Sequence, residues 1–282
     1  MSQLLPPQTT SELNPLIVTA PSIRSGTTLL QRLLCSSSNA LIYGEECGKD
    51  MELSLQLYAS KVAVYSHAGQ RFAADLKRVL EGDVNDWILD LMPELDGYIG
   101  ALGRAYFSGL AYCRDYAALV GRPVWGIKYP GWSPHVIRLI RQVMPKSRFI
   151  IIYREIEDCL RSAKARRSVN SEAEAGQFCK AWAQNLTFML GLSDDSSVLL
   201  LKYAELVKEP ERVIESLAEF ADVREMRLEI LSHKINTWVD AEVSMAQRPG
   251  YIEPVALTEA EKRIADESAR AVSLAFPDVN GL

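Results

Sequence analysis

The sequence predicts an α/β fold: a central parallel sheet flanked by helices and carrying a long helical insertion. Three observations predict it. Short, near-continuous apolar runs recur at residues 16–20, 124–127, 149–153 and 198–201, the pattern of strands buried on both faces. Helical segments separate them, as crossovers between parallel strands require. The first run also passes through a small-residue loop, Pro21-Ser-Ile-Arg-Ser-Gly26, into the amphipathic segment Thr27-Thr-Leu-Leu-Gln-Arg-Leu-Leu34, a strand–loop–helix unit.

In chain order, residues 51–120 read as a helical insertion broken at Gly82-Asp83, Pro93 and Gly97. Beyond residue 201 helices continue, with Pro210 suited to a first helical position. An irregular stretch at 246–254 has the composition of a loop or lid, and Thr258-Glu-Ala-Glu261 is a capping box opening a last helix. The expected organisation is one domain over residues 1–282, in which the insertion and a segment at about 236–256 shape a substrate pocket.

At 282 residues and 48% hydrophobic content the chain can bury a large core. A net charge of −5 supplies no overall basic field, so neither nucleic acid nor an anionic membrane is an expected partner. The five cysteines are odd in number and form no Cys-x-x-Cys pair, which reads as reduced, mostly buried thiols. The first fifteen residues lack the charged start and apolar centre of a secretory signal. No apolar run reaches the roughly 18 residues that span a bilayer. A cytoplasmic protein, monomer or homodimer, is the expectation.

The loop after the first strand is a phosphate cradle with a deviation. Backbone N–H groups of Ser25, Gly26, Thr27 and Thr28 would converge on an anion, helped by the helix dipole and the threonine hydroxyls. A nucleoside-triphosphate loop places Gly-Lys-Ser/Thr at its end, whereas Thr27 stands at the lysine position here and Arg24 is the loop's cation. The competing view is an ordinary helix start with an arginine nearby. Residues 149–153 then end on Arg154, where a kinase or ATPase strand ends on a Mg²⁺-holding aspartate. A cation at the carboxyl end of a parallel strand suits a second phosphate, with Ser162 eight residues on as its companion. The alternatives are an ion pair of Arg154 with Glu155, Glu157 or Asp158, and a solvated Ser162.

Together these segments resemble sulfotransferases that use 3′-phosphoadenosine 5′-phosphosulfate. In that family a Pro-Arg/Lys-Ser-Gly-Thr-Thr loop holds the 5′-phosphosulfate, and a strand ending in Arg with Ser eight residues later holds the 3′-phosphate. Arg24-Ser25-Gly26-Thr27-Thr28 and Arg154 through Ser162 match, with Ile23 in place of the proline. Leu200-Leu-Lys-Tyr203-Ala-Glu-Leu is similar to the family's third motif and makes Tyr203 a candidate nucleotide contact. Arg248-Pro-Gly250 is a faint match to a C-terminal Arg-Lys-Gly that closes over the 3′-phosphate, lacking its lysine. The histidine that many cytosolic members carry after a strand-end lysine is missing, because Lys128 is followed by Tyr129 and Pro130. Tyr43-Gly44-Glu45-Glu46 instead resembles the Gly-Glu-Glu of the tyrosylprotein branch.

The resemblance implies direct in-line sulfonate transfer from this donor, with 3′,5′-adenosine bisphosphate as product and no metal. It makes Glu46 the general base, and Arg24 and Lys128 the cations on the transferring group. The competing view of Glu46 is an exposed loop carboxylate, and Glu45 reads as a solvated neighbour or salt-bridge partner. The expected acceptor is a hydroxyl or amine of a small molecule. Alternatives are a small-molecule kinase of the same loop architecture and a nucleotide-binding protein without turnover. His67, His135 and His233 have no metal-ligand spacing, and Arg166-Arg167 is either an extension of the phosphate site or a solvated helix face.

Overall fold

A computed structural model describes residues 12–83, 85, 87–232, 254–277 and 279. The elements run β1 (Leu16–Thr19), α1 (Thr27–Cys35), β2 (Ala40–Tyr43), α2 (Glu45–Leu80), α3 (Leu95–Leu119), β3 (Val124–Lys128), α4 (Pro134–Val143), β4 (Arg148–Tyr153), α5 (Ile156–Ala165), α6 (Glu172–Leu190), β5 (Val198–Lys202), α7 (Tyr203–Lys208), α8 (Pro210–Ala221), a 3₁₀ turn (Leu228–Ser232) and α9 (Glu259–Ala275). The strands form one sheet in the order β2-β3-β1-β4-β5, and every pairing is parallel.

Alternation along β1 explains the two faces. Ile17 packs with Ile127, Phe149 and Ile151 beneath α2, α3 and α4, while Leu16 and Val18 pack with Ile150, Ile152 and Leu201 beneath α1 and α8. Helix α4 presents Val136, Ile137, Ile140 and Val143 to the first face, each such side chain contributing roughly 1.5–3 kcal/mol of burial. A third cluster joins α5, α6 and α9 through Leu160, Trp182, Leu186 and Val272. No described helix is long and apolar enough to cross a membrane.

Strand β2 is an addition to the four expected runs. It is only four residues long at the sheet edge, and its inward side chains alternate with half-buried ones. The insertion also starts earlier than expected. Helix α2 begins at Glu45, so the Gly-Glu-Glu segment enters a helix with Gly44 at its N-cap. The break at Gly82-Asp83 is real, but Gly97 lies inside the first turn of α3, where its N–H is held by the Glu94 carboxylate at 2.8 Å. Pro210 starts α8, and Thr258 with Glu261 forms both bonds of the capping box at α9.

Because β1 lies between β3 and β4, the chain leaves its carboxyl end at the point where the sheet's connections diverge. Open α/β sheets bind ligands at such a point. The carboxyl ends of all five parallel strands share that edge, which carries Lys128 at the last position of β3 and Arg24, Glu45, Arg154 and Tyr203 beyond the ends of their strands.

Candidate active site

The loop between β1 and α1 is fixed from within. Ser25 is fully buried; its hydroxyl donates to the Ser22 carbonyl at 3.0 Å and lies 3.6 Å from Cys159 Sγ. Its side chain is thus spent on the loop, leaving the backbone N–H as its contribution to an anion. Asn185 on α6 donates from Nδ2 to the Pro21 carbonyl at 2.9 Å. Arg24 and Gly26 both take left-handed backbone conformations, φ 71° and 103°. Gly26 serves as N-cap of α1 without a capping side chain, so the first-turn N–H groups of that helix open onto the loop.

Three segments distant in sequence meet here. Arg24 Nε donates to Ser162 Oγ on α5 at 3.0 Å, joining the loop to the second motif. The Tyr203 ring lies against Gly26, where a Cβ would come within 2.4 Å of its Cδ2, and the Arg154 guanidinium stands 4.7 Å from the same ring. Arg154 is also held by Asp158, in the first turn of α5, at 2.8 Å. The ion pair considered as an alternative for Arg154 therefore forms beside the ring contact. Burial works against the guanidinium charge and Asp158 outweighs it, leaving the Arg154 pKa raised. Beneath the loop, burial pushes the Cys159 thiol up to about 11, so it is a neutral wall at physiological pH.

On the other side of β1 the exit of β3 is strapped to the loop's entrance. Thr19 Oγ1 donates to the Tyr129 carbonyl at 2.8 Å, Tyr129 N–H to the Val18 carbonyl at 3.0 Å, and Gly131 N–H to the Ala20 carbonyl at 2.8 Å. Lys128 is 5% exposed, and its ammonium contacts Glu45 Oε1 at 2.5 Å. Glu46 faces the other way: its side chain is 84% exposed and paired with Lys49 at 2.6 Å. Trp132 donates from Nε1 to Glu52 at 3.1 Å, and its ring stacks on Tyr129.

Arg24, Ser25, Gly26, Thr27, Thr28, Arg154, Ser162 and Tyr203 are thus one neighbourhood, and Lys128 stands across β1 from them. Arg248 and His233 lie outside the described residues. The chain is described again from Pro254, and Val255 N–H meets the Arg161 carbonyl, next to Ser162, at 3.4 Å. Sequence reasoning missed Asn185 and Thr19, whose bonding follows only from tertiary packing. Asp158 was legible as a carboxylate four residues after Arg154. A cavity of about 700 Å³ lies between α2 and α3, lined by residues such as Tyr65, Gly69, Leu76, Leu95 and Ile99. Tyr65 is 20 residues from Glu45 along α2, roughly 30 Å at 1.5 Å per residue, so this cavity is separate from the loop.

No curated relative matches the chain in sequence. Among solved structures it is similar to the sulfotransferase domain of the Synechococcus PCC 7002 olefin synthase, at 18% identity over 91% of this chain and 94% of that one, TM-score 0.47. It is similar too to the sulfotransferase domain of the curacin biosynthetic pathway, at 16% identity over 91% and 98%, TM-score 0.48. A Mycobacterium avium sulfotransferase follows at 14% identity over 94% and 76%, TM-score 0.37. The model of the sulfotransferase family matches residues 15–226, from β1 through all three motifs to beyond the end of α8, and on that match the chain belongs to the sulfotransferase family.

Proposed function

We propose that the chain transfers a sulfonate from 3′-phosphoadenosine 5′-phosphosulfate to a hydroxyl or amine of a small-molecule acceptor by direct in-line displacement. The single observation that carries the donor assignment is the convergence of Arg24, Ser162, Arg154 and Tyr203 around the open N-terminus of α1. The α1 N–H groups with Arg24 suit the 5′-phosphosulfate, and Arg154 with Ser162 suits the 3′-phosphate. The Tyr203 ring offers an aromatic face beside both. Arg248 joins this set from the resemblance alone.

In-line transfer needs the acceptor oxygen or nitrogen, the sulfur and the bridging oxygen in a row, with positive charge on the oxygens that gain electron density. Arg24 and Lys128, on opposite sides of β1, supply that charge without a metal ion. A carboxylate at the start of α2 takes the acceptor's proton, the segment in which the resemblance selects Glu46.

A thermal-shift comparison tests the donor. At about 100 times its Kd, 3′,5′-adenosine bisphosphate is expected to add roughly 2.7 kcal/mol of stability, and ATP with Mg²⁺ is expected to add much less. Stabilisation by ATP with Mg²⁺ alone would replace the proposal with a kinase. Thr27 at the lysine position and Arg154 at the strand end both argue against that outcome.

A further inference from the structure

We infer that the proton-accepting carboxylate is Glu45, the group seated on Lys128, in place of its neighbour Glu46. The inference deepens the sulfotransfer proposal and rests on it. Positions 45, 48 and 52 share one face of α2. That face is pressed onto the exit of β3 at three successive points: Glu45 on the Lys128 ammonium, Gly48 on the Tyr129 side chain, and Glu52 on the Trp132 indole. Positions 46, 49 and 53 form the next stripe, which faces solvent: Glu46 is paired with Lys49, and Leu53 is 65% exposed.

Bringing Glu46 to Lys128 requires turning the helix by about 100°, one residue's rotation. Lys49 would then replace Gly48 against Tyr129. A Cβ on Gly48 already comes within 2.8 Å of Tyr129 Cβ and Cδ2, so the position against Tyr129 has no room for a lysine side chain. The packing of α2 therefore commits the first glutamate of the pair, and not the second, to the strand-end lysine.

The chemistry follows from the shared ammonium. A lysine has three donors, and Glu45 uses one, leaving two for oxygens of the transferring sulfonyl group. An acceptor attacking a sulfur whose oxygens rest on Lys128 comes within hydrogen-bond reach of the carboxylate on the same ammonium. The acceptor oxygen or nitrogen bonds to sulfur and gives its proton to Glu45. The bond from sulfur to the bridging oxygen breaks, and its electron pair stays on the 5′-phosphate of the departing bisphosphate. Water later takes the proton from Glu45.

The test uses the full chain and its Glu45→Gln and Glu45→Asp variants. Three quantities are measured: calorimetric affinity for 3′,5′-adenosine bisphosphate, melting temperature, and transfer of labelled sulfonate from the donor to a simple phenol, alcohol or amine that the unaltered chain sulfonates. Glu45→Gln is expected to bind the bisphosphate within about threefold of the unaltered chain while its kcat falls about a hundredfold or more, beyond any change in acceptor KM; Glu45→Asp is expected to recover part of the loss. Three results overturn the inference: Glu45→Gln turning over within tenfold of the unaltered chain, bisphosphate affinity collapsing together with kcat, or Glu46→Gln suffering the hundredfold loss that Glu45→Gln escapes. The sulfotransfer proposal fails separately, on the unaltered chain, when ATP with Mg²⁺ stabilises it and the bisphosphate does not.

Discussion

Gly26 is the residue on which the loop after β1 closes against Tyr203. Its φ of 103° is a conformation that L side chains rarely adopt, and an added Cβ would sit 2.4 and 2.8 Å from two atoms of the Tyr203 ring. Alanine there must either flatten the loop or push Tyr203 away from it. Either response moves a ring that also carries the Arg154 guanidinium. Gly26→Ala is therefore expected to weaken bisphosphate binding by tenfold or more and to cost about 1–3 kcal/mol of stability. Calorimetry and a denaturant melt read the two effects, and unchanged affinity would mean that the loop does not hold the nucleotide. Residues of this kind are legible in a sequence because their chemistry is local: a glycine, an arginine and two threonines at fixed spacing already describe a cradle. Asn185, which anchors the Pro21 carbonyl from 164 positions away, carries no such signature. Nor does Cys159 beneath Ser25. Glu46 was ranked above Glu45 by the resemblance alone. The residues themselves give no such order, since adjacent carboxylates differ only in which way the helix turns them, and of the two readings of Glu45 it is the salt-bridge partner that forms, on Lys128.

At the scale of elements, the start of α9 ties the C-terminal helix to the one that carries Ser162. The Glu261 carboxylate accepts from the Thr258 N–H at 2.8 Å and contacts the Lys164 ammonium on α5 at 2.5 Å, with Glu261 itself 4% exposed. The hydrogen bond from Lys164 is the largest influence on this carboxyl and lowers its pKa from the ordinary 4.5, against the opposing effect of burial. A carboxylate depressed in the folded state stabilises the fold above its unfolded pKa, and that stability disappears as pH falls from about 4.5 through the lower folded value. Glu261→Gln should therefore melt at a lower temperature at pH 7 and lose less on acidification below about pH 4.5 than the unaltered chain. Parallel melting curves across that window would discount the pair. The capping box was readable because it spans four residues. Strand β2 was not, because four residues at a sheet edge with half-buried alternate positions give too short a periodic signal, and its pairing with β3 joins segments some 80 residues apart.

Across the whole molecule the strand order sorts the chemistry. β1, β4 and β5 are consecutive, so Arg24, Arg154 and Tyr203 emerge side by side at their carboxyl ends, whereas Lys128 and Glu45 emerge beyond β3 and β2 on the other half of the sheet. The parallel sheet and the meeting of the Arg24, Arg154 and Tyr203 segments were legible because buried strands and strand–loop–helix units have strong local patterns. The seating of Glu45 on Lys128 was not, because it depends on how α2 packs against Tyr129 and Trp132, a long-range packing choice that motif spacing does not encode. The same division predicts where a bound nucleotide is felt. Hydrogen exchange with saturating 3′,5′-adenosine bisphosphate is expected to slow amides in residues 20–30, 154–165 and 200–206, since in the proposed site the ligand would bridge these three segments. Residues 65–99, around the cavity between α2 and α3, begin roughly 30 Å from Glu45 along the helix and should exchange at their ligand-free rates. Protection confined to residues 65–99 would put the nucleotide in the wrong place for Arg24 and Arg154. Protection at 20–30 without 154–165 would leave the loop as a simple anion site and remove the second phosphate on which the donor assignment depends.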